Sequence, residues 1–316
     1  MSEQTMTAEM PEKAKKPRKK FSPLMAVLFA LLIVYTVLMF FPLIWGLFES
    51  LMDGNKLEST IIPWPSDWKF SNYIDAFEHF YVPVQSASGT VYPTLVHMFG
   101  YSFIYAIGAA LVQTFVQCLV AYLTSRFNYV LSRIINVFVL IAIALPIVGS
   151  LPSEIQMAQA LGLYDTLFGI WIMKGHFISM YYLVFYARFK SFSKAYEEAA
   201  QIDGAGHLRI FFSIMLPLVK NMFLTIFLIQ FIGFWNDYYT PLVYMPSYPT
   251  VAYGLWYYNQ STDNVLTLPM KVTGCILMLI PVLILFSIFS QRLMSNLTLG
   301  GEKEKKRANY EAIEIL

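Results

Sequence analysis

Charge is what this chain of 316 residues has least of. Asp, Glu, Lys and Arg make up 13% of it, where soluble domains sit near a quarter. A soluble catalytic domain is not visible in such a composition. The net charge of +2 suggests no nucleic-acid partner. Cysteine is nearly absent too. Cys118 and Cys275 both lie in apolar runs and read as small core hydrophobes rather than a disulfide or metal pair. Four histidines without a His/Cys cluster leave no zinc site to assign. No Gly-x-x-x-x-Gly-Lys-Ser/Thr phosphate loop occurs. "IDGAGHLRI" has no Lys in the required place. The chain therefore supplies no such ATPase, and no catalytic residue or cofactor is expected of it.

What it has in abundance is apolar sequence, 57% of residues, with 17% aromatic. A hydrocarbon core about 30 Å thick needs roughly 20 apolar residues of helix. Phe21–Phe48 holds no charge and is too long for the apolar region of a signal peptide, so it reads as a first span. Tyr101–Leu123, Ile134–Pro152, Thr166–Ala187, Met222–Tyr244 and Val272–Ser290 qualify or nearly so. Six spans follow, all helical, because an open sheet edge cannot be satisfied in lipid. The expectation is an all-α membrane protein. Residues 1–20 form a basic cytoplasmic tail, residues 21–300 a six-helix domain, and residues 301–316 a second cytoplasmic tail.

Orientation comes from Lys and Arg. With the N-terminus inside, the inner segments hold eighteen of the 22 such residues, and the outer loops hold Lys56, Lys69 and Lys271. Lys174 falls within a span. Both termini are then cytoplasmic, as is the segment of about 190–221. The longest outer segment, from about Glu49 to Gly100, contains "IIPWPSDWKFSNYIDAF". It either packs against an external partner or caps the bundle.

That cytoplasmic segment is longer than a turn between two spans needs to be. Ala195, Ala199 and Ile202 recur at i, i+4 and i+7 and form a small apolar stripe. Glu197, Glu198 and Gln201 take the other side. Gly204 and Gly206 mark a helix end and turn. A second helical stretch, His207–Met215, is expected to stop at Pro217. Helices that rest on lipid prefer Lys or Arg above Trp, Phe or Leu. Ala with Glu fits a protein partner better.

"EAAQIDGAGHLRIFFSIMLP" resembles the cytoplasmic signature of the permease subunits of ATP-binding-cassette importers, with Glu198, Ala199, Ala200, Gly204, Ile214, Leu216 and Pro217 in register. "AYLTSRF" at Ala121–Phe127, "LGLYDTLFG" at Leu161–Gly169, "GFWNDYYTPLVY" at Gly233–Tyr244 and "SQRLMSNLTLGG" near the C-terminus are similar to segments of the carbohydrate-importing, maltose-transporter-like branch. Ser193 stands where the family usually has Pro, and Asn296 where it has Gly. The resemblance implies a six-span permease with a cytoplasmic coupling helix. Glu198, Ala199, Ala200, Asp203, Gly204 and Pro217 would then meet the ATPase. It also implies a second homologous permease, two ATP-binding subunits that hold ATP and Mg, and an extracellular or periplasmic solute-binding protein. The setting would be lipid, in the inner membrane of a bacterium or archaeon.

Polar residues inside a membrane are costly and draw functional attention. Lys174 either snorkels to the headgroups or lines a solute path, and His176 beside it is read the same way. Trp235, Asn236, Asp237, Tyr238 and Tyr239 combine flat aromatic faces with an amide and a carboxylate, the chemistry that suits a sugar. A kink supported by Pro241 is the structural alternative. Two other functions compete: a membrane-embedded enzyme using Asp237, His176 and Lys174, which matches no known catalytic spacing, and a secondary transporter, for which no inverted repeat is evident.

Overall fold

The computed structural model describes residues 23–54, 68–86, 89–145, 149–260 and 267–289. The chain divides into two compact units, Met1–Gly46 and Leu47–Leu316. The first is made, among the described residues, of the helix α1 (Pro23–Ser50), which ends in the second unit. It is apolar on every face, as expected of a span surrounded by lipid.

The second unit is mostly helical. α2 (Ser71–His79) is followed by an antiparallel pair, β1 (Val84–Ser86) and β2 (Gly89–Val91), a small hairpin outside the all-α expectation. Then come α3 (Leu95–Arg126), α4 (Val130–Ala144), α5 (Leu151–Ala160), α6 (Leu167–Lys174) and α7 (Met180–Lys190). α8 (Ala195–Ile202), α9 (His207–Leu218), α10 (Lys220–Trp235), α11 (Tyr239–Tyr244), α12 (Val251–Gln260) and α13 (Leu268–Phe289) complete the order.

Among the described residues α1, α3 and α13 are long and apolar enough to cross a membrane, and α9 with α10 makes a fourth if counted together across their 78° bend. The remaining apolar segments are broken or short. α4 stops at Ala144 rather than reaching Pro152. Leu145, which precedes Pro146, is extended at φ −101° and ψ 114°, because the proline ring disfavours helix in the residue before it. The segment Thr166–Ala187 breaks between Lys174 and Met180. Met222–Tyr244 breaks at Asn236–Tyr238.

α3 is the axis of the second unit, packed by α6, α7 and α10. Its buried alanines, Ala106, Ala109, Ala110 and Ala121, let neighbouring backbones approach. Gly108 is required by that closeness: a Cβ there would lie 2.1 Å from Cε2 of Trp171. Polar residues also join these helices. Thr114 Oγ1 donates to Gln230 Oε1 at 2.9 Å, and Gln230 Nε2 donates to Gln117 Oε1 at 2.7 Å. An apolar cluster of Tyr122, Phe185, Phe189, Phe211 and Met215 fills the end of the bundle where α8 and α9 attach. Cys118 is buried in it, while Cys275 of α13 is exposed, contrary to the core expectation for both cysteines.

Candidate functional site

The α8–α9 segment forms as a helix, a glycine turn and a second helix. α8 ends in a reciprocal backbone cap: Ala205 N donates to Ala200 O at 2.9 Å and Gly204 N to Gln201 O at 3.0 Å. This Schellman pattern needs a left-handed residue, and Gly204 supplies it at φ 79°. Nothing lies within 4 Å of where a Cβ on Gly204 would stand. The demand for glycine within this chain is therefore conformational, about 1–2 kcal/mol for an L-residue.

α9 does not stop at Pro217. It runs on to Leu218 through a π-helical turn, Phe211–Met215. Proline has no N–H for the residue four back and its ring crowds that carbonyl. The widened turn just ahead of it accommodates both. The chain then bends 78° at Val219 into α10.

The exposed surface of α8 is what the alanine spacing indicated. Ala195 and Ala199 are exposed, and Ile202 is 87% exposed. Glu198 and Asp203 are exposed beside them, and Ala200 is buried against the bundle. A hollow of about 550 Å³ lies between Tyr196, Ala199, Asp203 and Ile214, and another of about 200 Å³ between Asp203, Arg209 and Ser213.

One residue was misplaced by spacing. Glu197 does not share the water-facing side with Glu198. Its Oε1 takes a 2.9 Å charged hydrogen bond from Arg126 Nε, with the two side chains only 14% and 4% exposed. Arg126 also donates from Nη1 to Phe192 O at 3.0 Å and from Nη2 to Ser193 O at 3.1 Å. The C-terminal residue of α3 thus caps the chain leaving α7 and holds the first turn of α8. The signal for this was "AYLTSRF" itself, an Arg at the end of a span, where a guanidinium has three directions in which to donate.

The second candidate region is the break between α10 and α11. Trp235 is 1% exposed, packs against Phe103 and Phe231, and donates from Nε1 to Met278 O of α13 at 3.0 Å. Asn236 is exposed and donates back to Ile232 O at 2.9 Å. Asp237 binds the break together: Oδ1 accepts from Thr240 N and Oδ2 from Tyr105 Oη, each at 3.0 Å. Tyr238 is 41% exposed and stacks on Trp256 at 5.8 Å, and Tyr239 is 48% exposed. So Trp235 anchors the segment while Asn236, Tyr238 and Tyr239 present polar and aromatic groups outward.

Charged groups from other elements gather near this break. Lys174, the last residue of α6, is half-buried within electrostatic reach of Asp237 and Glu154. Glu154 Oε2 accepts from Tyr244 Oη at 2.6 Å. The hydroxyls of Ser150 and Tyr244 hold the Glu154 carboxyl below its ordinary value. Gln113 Nε2 donates to His176 Nε2 at 3.1 Å. Glu154 was not singled out from sequence.

"LGLYDTLFG" has a local reason as well. Asp165 stands at φ 54°, which Asp tolerates better than most residues. Its carboxylate accepts from Ser247 N at 2.9 Å and Ser247 Oγ at 2.6 Å. Thr166 then caps α6, its Oγ1 accepting from Gly169 N at 3.0 Å.

Among the described residues, the geometry defines a helical protein with three or four segments long and apolar enough to cross a membrane and a capped helix–turn–helix at one end of the bundle. Residues 117–298 match the family described as the binding-protein-dependent transport system inner membrane component. The chain belongs to that family. It is 30% identical to the maltodextrin transport system permease protein MalD of Streptococcus pneumoniae, over 86% of this chain and 93% of that one. It is 24% identical to the diacetylchitobiose uptake system permease protein NgcG of Streptomyces coelicolor, over 87% and 88%. Its fold is similar to a chain in the crystal structure of a bacterial ABC transporter involved in the import of the acidic polysaccharide alginate. The TM-score is 0.69 at 21% identity, covering 88% of this chain and 99% of that one. The chain is thus a permease subunit of an ATP-binding-cassette importer, not an enzyme.

Proposed function

We propose that this chain forms half of the translocation path of an ATP-driven importer of a sugar or oligosaccharide. The observation that carries the coupling role is the α8 surface. An exposed stripe of Ala195, Ala199 and Ile202 stands on a helix fastened to α3 by the Glu197–Arg126 pair. Small side chains permit close approach by a groove, and the part-buried ion pair lets force on α8 reach α3. Glu198, Ala199, Ala200, Asp203, Gly204 and Pro217 make up this coupling segment. The names of the relatives support a saccharide cargo.

In this reading the chain crosses the membrane six times, the fourth and fifth crossings being interrupted helices, with both termini cytoplasmic. Residues 1–20 and 301–316 are tails that flank the permease domain and lie outside the described residues. A second homologous permease completes the path, two ATP-binding subunits carry ATP and Mg, and an external solute-binding protein delivers the cargo. The break around Asn236, Asp237, Tyr238 and Tyr239, anchored by Trp235, faces the path. Interrupted helices at membrane depth are tolerated where they line a cavity. Family membership does not favour a membrane-embedded enzyme or a secondary transporter.

The test is reconstitution of the complex with its binding protein, and a screen of saccharides for stimulated ATP hydrolysis. Stimulation by none, with normal basal hydrolysis, overturns the cargo. Impermeant thiol labelling of single cysteines near Arg126, Glu198, Lys69 and Lys271 in intact cells tests the topology. Only the last two positions should react.

A further inference from the structure

α2 has a third face that the permease reading leaves unused. Successive residues advance about 100° around a helix. Asn72 and Ala76 on α2, with Phe80 just beyond it, are at most 6% exposed and dock on the protein. Ser71, Asp75, Glu78 and His79 form a polar sector. Phe70, Ile74 and Phe77 form a separate apolar sector, and they are 66%, 64% and 40% exposed.

The docked face sets the depth of this helix. Asn72 Nδ2 donates to the carbonyls of Ser50 and Met52 at 2.9 Å each, and Lys69 N to Leu51 O at 2.8 Å. Ser50 closes α1, where the last carbonyls have no helical partner, and Leu51 and Met52 follow it. Thr273 Oγ1, near the start of α13, donates to the same Ser50 carbonyl at 3.2 Å. Phe80 packs with Leu95 and Met98 at the start of α3. The two long apolar helices of the second unit, α3 and α13, therefore both begin at the level of α2, beside Ser50. In the topology proposed above, that level is the external membrane surface.

We propose that α2 is an interfacial anchor, whose Phe70, Ile74 and Phe77 lie in the headgroup boundary of the outer leaflet; the partner of this surface is lipid. The inference rests on the permease reading for its orientation. A polar sector and an apolar sector on one helix at that depth match the two phases that an interface offers. Trp68, Tyr81 and Tyr92 are 49%, 42% and 56% exposed beside it. Trp68 stacks on Phe70 with ring centroids 6.4 Å apart. Such amphipathic rings collect at headgroup level. A protein arriving from the water would meet Asp75 and Glu78 first. The polar sector carries acids rather than Lys or Arg, so the contact depends on apolar area and not on anionic lipid.

The experiment uses the assembled transporter in lipid nanodiscs, with Cys118→Ala and Cys275→Ser replacing the native thiols. Nitroxide labels are placed singly at Ile74→Cys, Phe77→Cys and Glu78→Cys, all exposed positions. The oxygen-to-nickel-chelate accessibility ratio should be several-fold higher at 74 and 77 than at 78. It should be unchanged when phosphatidylglycerol is added to phosphatidylcholine. Nickel access at 74 and 77 equal to that at 78 places the face in water and overturns the proposal. Protection from both reagents places a protein subunit there and also overturns it. As a label-free reading, quenching of the complex by brominated phosphatidylcholine should fall in Trp68→Phe, and an unchanged fraction counts against the anchor. If the importer reading itself fails, saccharide-stimulated ATP hydrolysis is lost while the labels still report lipid. If only the anchor fails, hydrolysis persists.

Discussion

Arg126→Ala should detach the coupling helix from the bundle without unfolding the bundle. The guanidinium makes one charged bond to Glu197 and two bonds to the carbonyls of Phe192 and Ser193, and its side chain is 4% exposed. Removing one member of a buried pair costs roughly 3–5 kcal/mol, because the other charge is left without a partner. The site lies at the end of the bundle, where water can reach Glu197 once α8 moves, so the low end applies. About 3 kcal/mol corresponds to a roughly hundred-fold rise in the population of detached α8. In the assembled complex, amide hydrogen exchange over residues 195–203 should accelerate by about that factor. Solute-stimulated ATP hydrolysis should fall while basal hydrolysis persists. Glu197→Gln keeps an acceptor for Arg126 Nε and should show a smaller effect. The charge swap Arg126→Glu with Glu197→Arg should not rescue, since a carboxylate at 126 would face the two carbonyls that Arg126 now satisfies. Unchanged exchange and normal stimulation in Arg126→Ala would refute the view that this pair transmits force.

Gly204→Ala should cost about 1–2 kcal/mol at the α8 cap through its left-handed φ. It should lower stimulated hydrolysis with normal membrane assembly, and Gly204→Asn should be milder because Asn tolerates that conformation. Glu198→Lys should leave expression and topology intact but weaken copurification of the ATPase subunit, as reversal of an exposed charge at a docking surface would. Asp237→Asn retains an acceptor for Thr240 N while removing the charge; the complex should assemble with a normal melting temperature and transport more slowly. Asp165→Ala forfeits both bonds to Ser247 and should destabilise the detergent-solubilised chain by roughly 1–3 kcal/mol, read as a lower thermal midpoint.

The sequence by itself determined the class of this protein. Apolar runs of span length can only be helices in lipid, and the spacing of Glu198, Ala199, Ala200 and Gly204 specifies a capped helix that ends in a left-handed glycine. Both are local consequences of backbone hydrogen bonding, so composition and spacing suffice to read them. The stripe of Ala195, Ala199 and Ile202 was legible for the same reason.

Where a long-range partner decides, spacing was silent or wrong. Glu197 looked solvated because helical periodicity places it near Glu198; it is paired because Arg126, 71 residues earlier, reaches it. Trp235 looked like a neighbour of Asp237 in function, but Met278 and the aromatic packing around it turn the indole into the core. The break after Lys174 could not be read from hydropathy, which averages over a span and does not register where the backbone ladder is interrupted; the one after Trp235 was legible only as a kink near Pro241. Asp237 holds its break with Thr240 and Tyr105, and the second of these contacts exists only once α3 and α10 are packed together. Tertiary structure decided which polar groups are bonded, because a hydrogen bond depends on distances of a few ångströms between segments far apart in the chain.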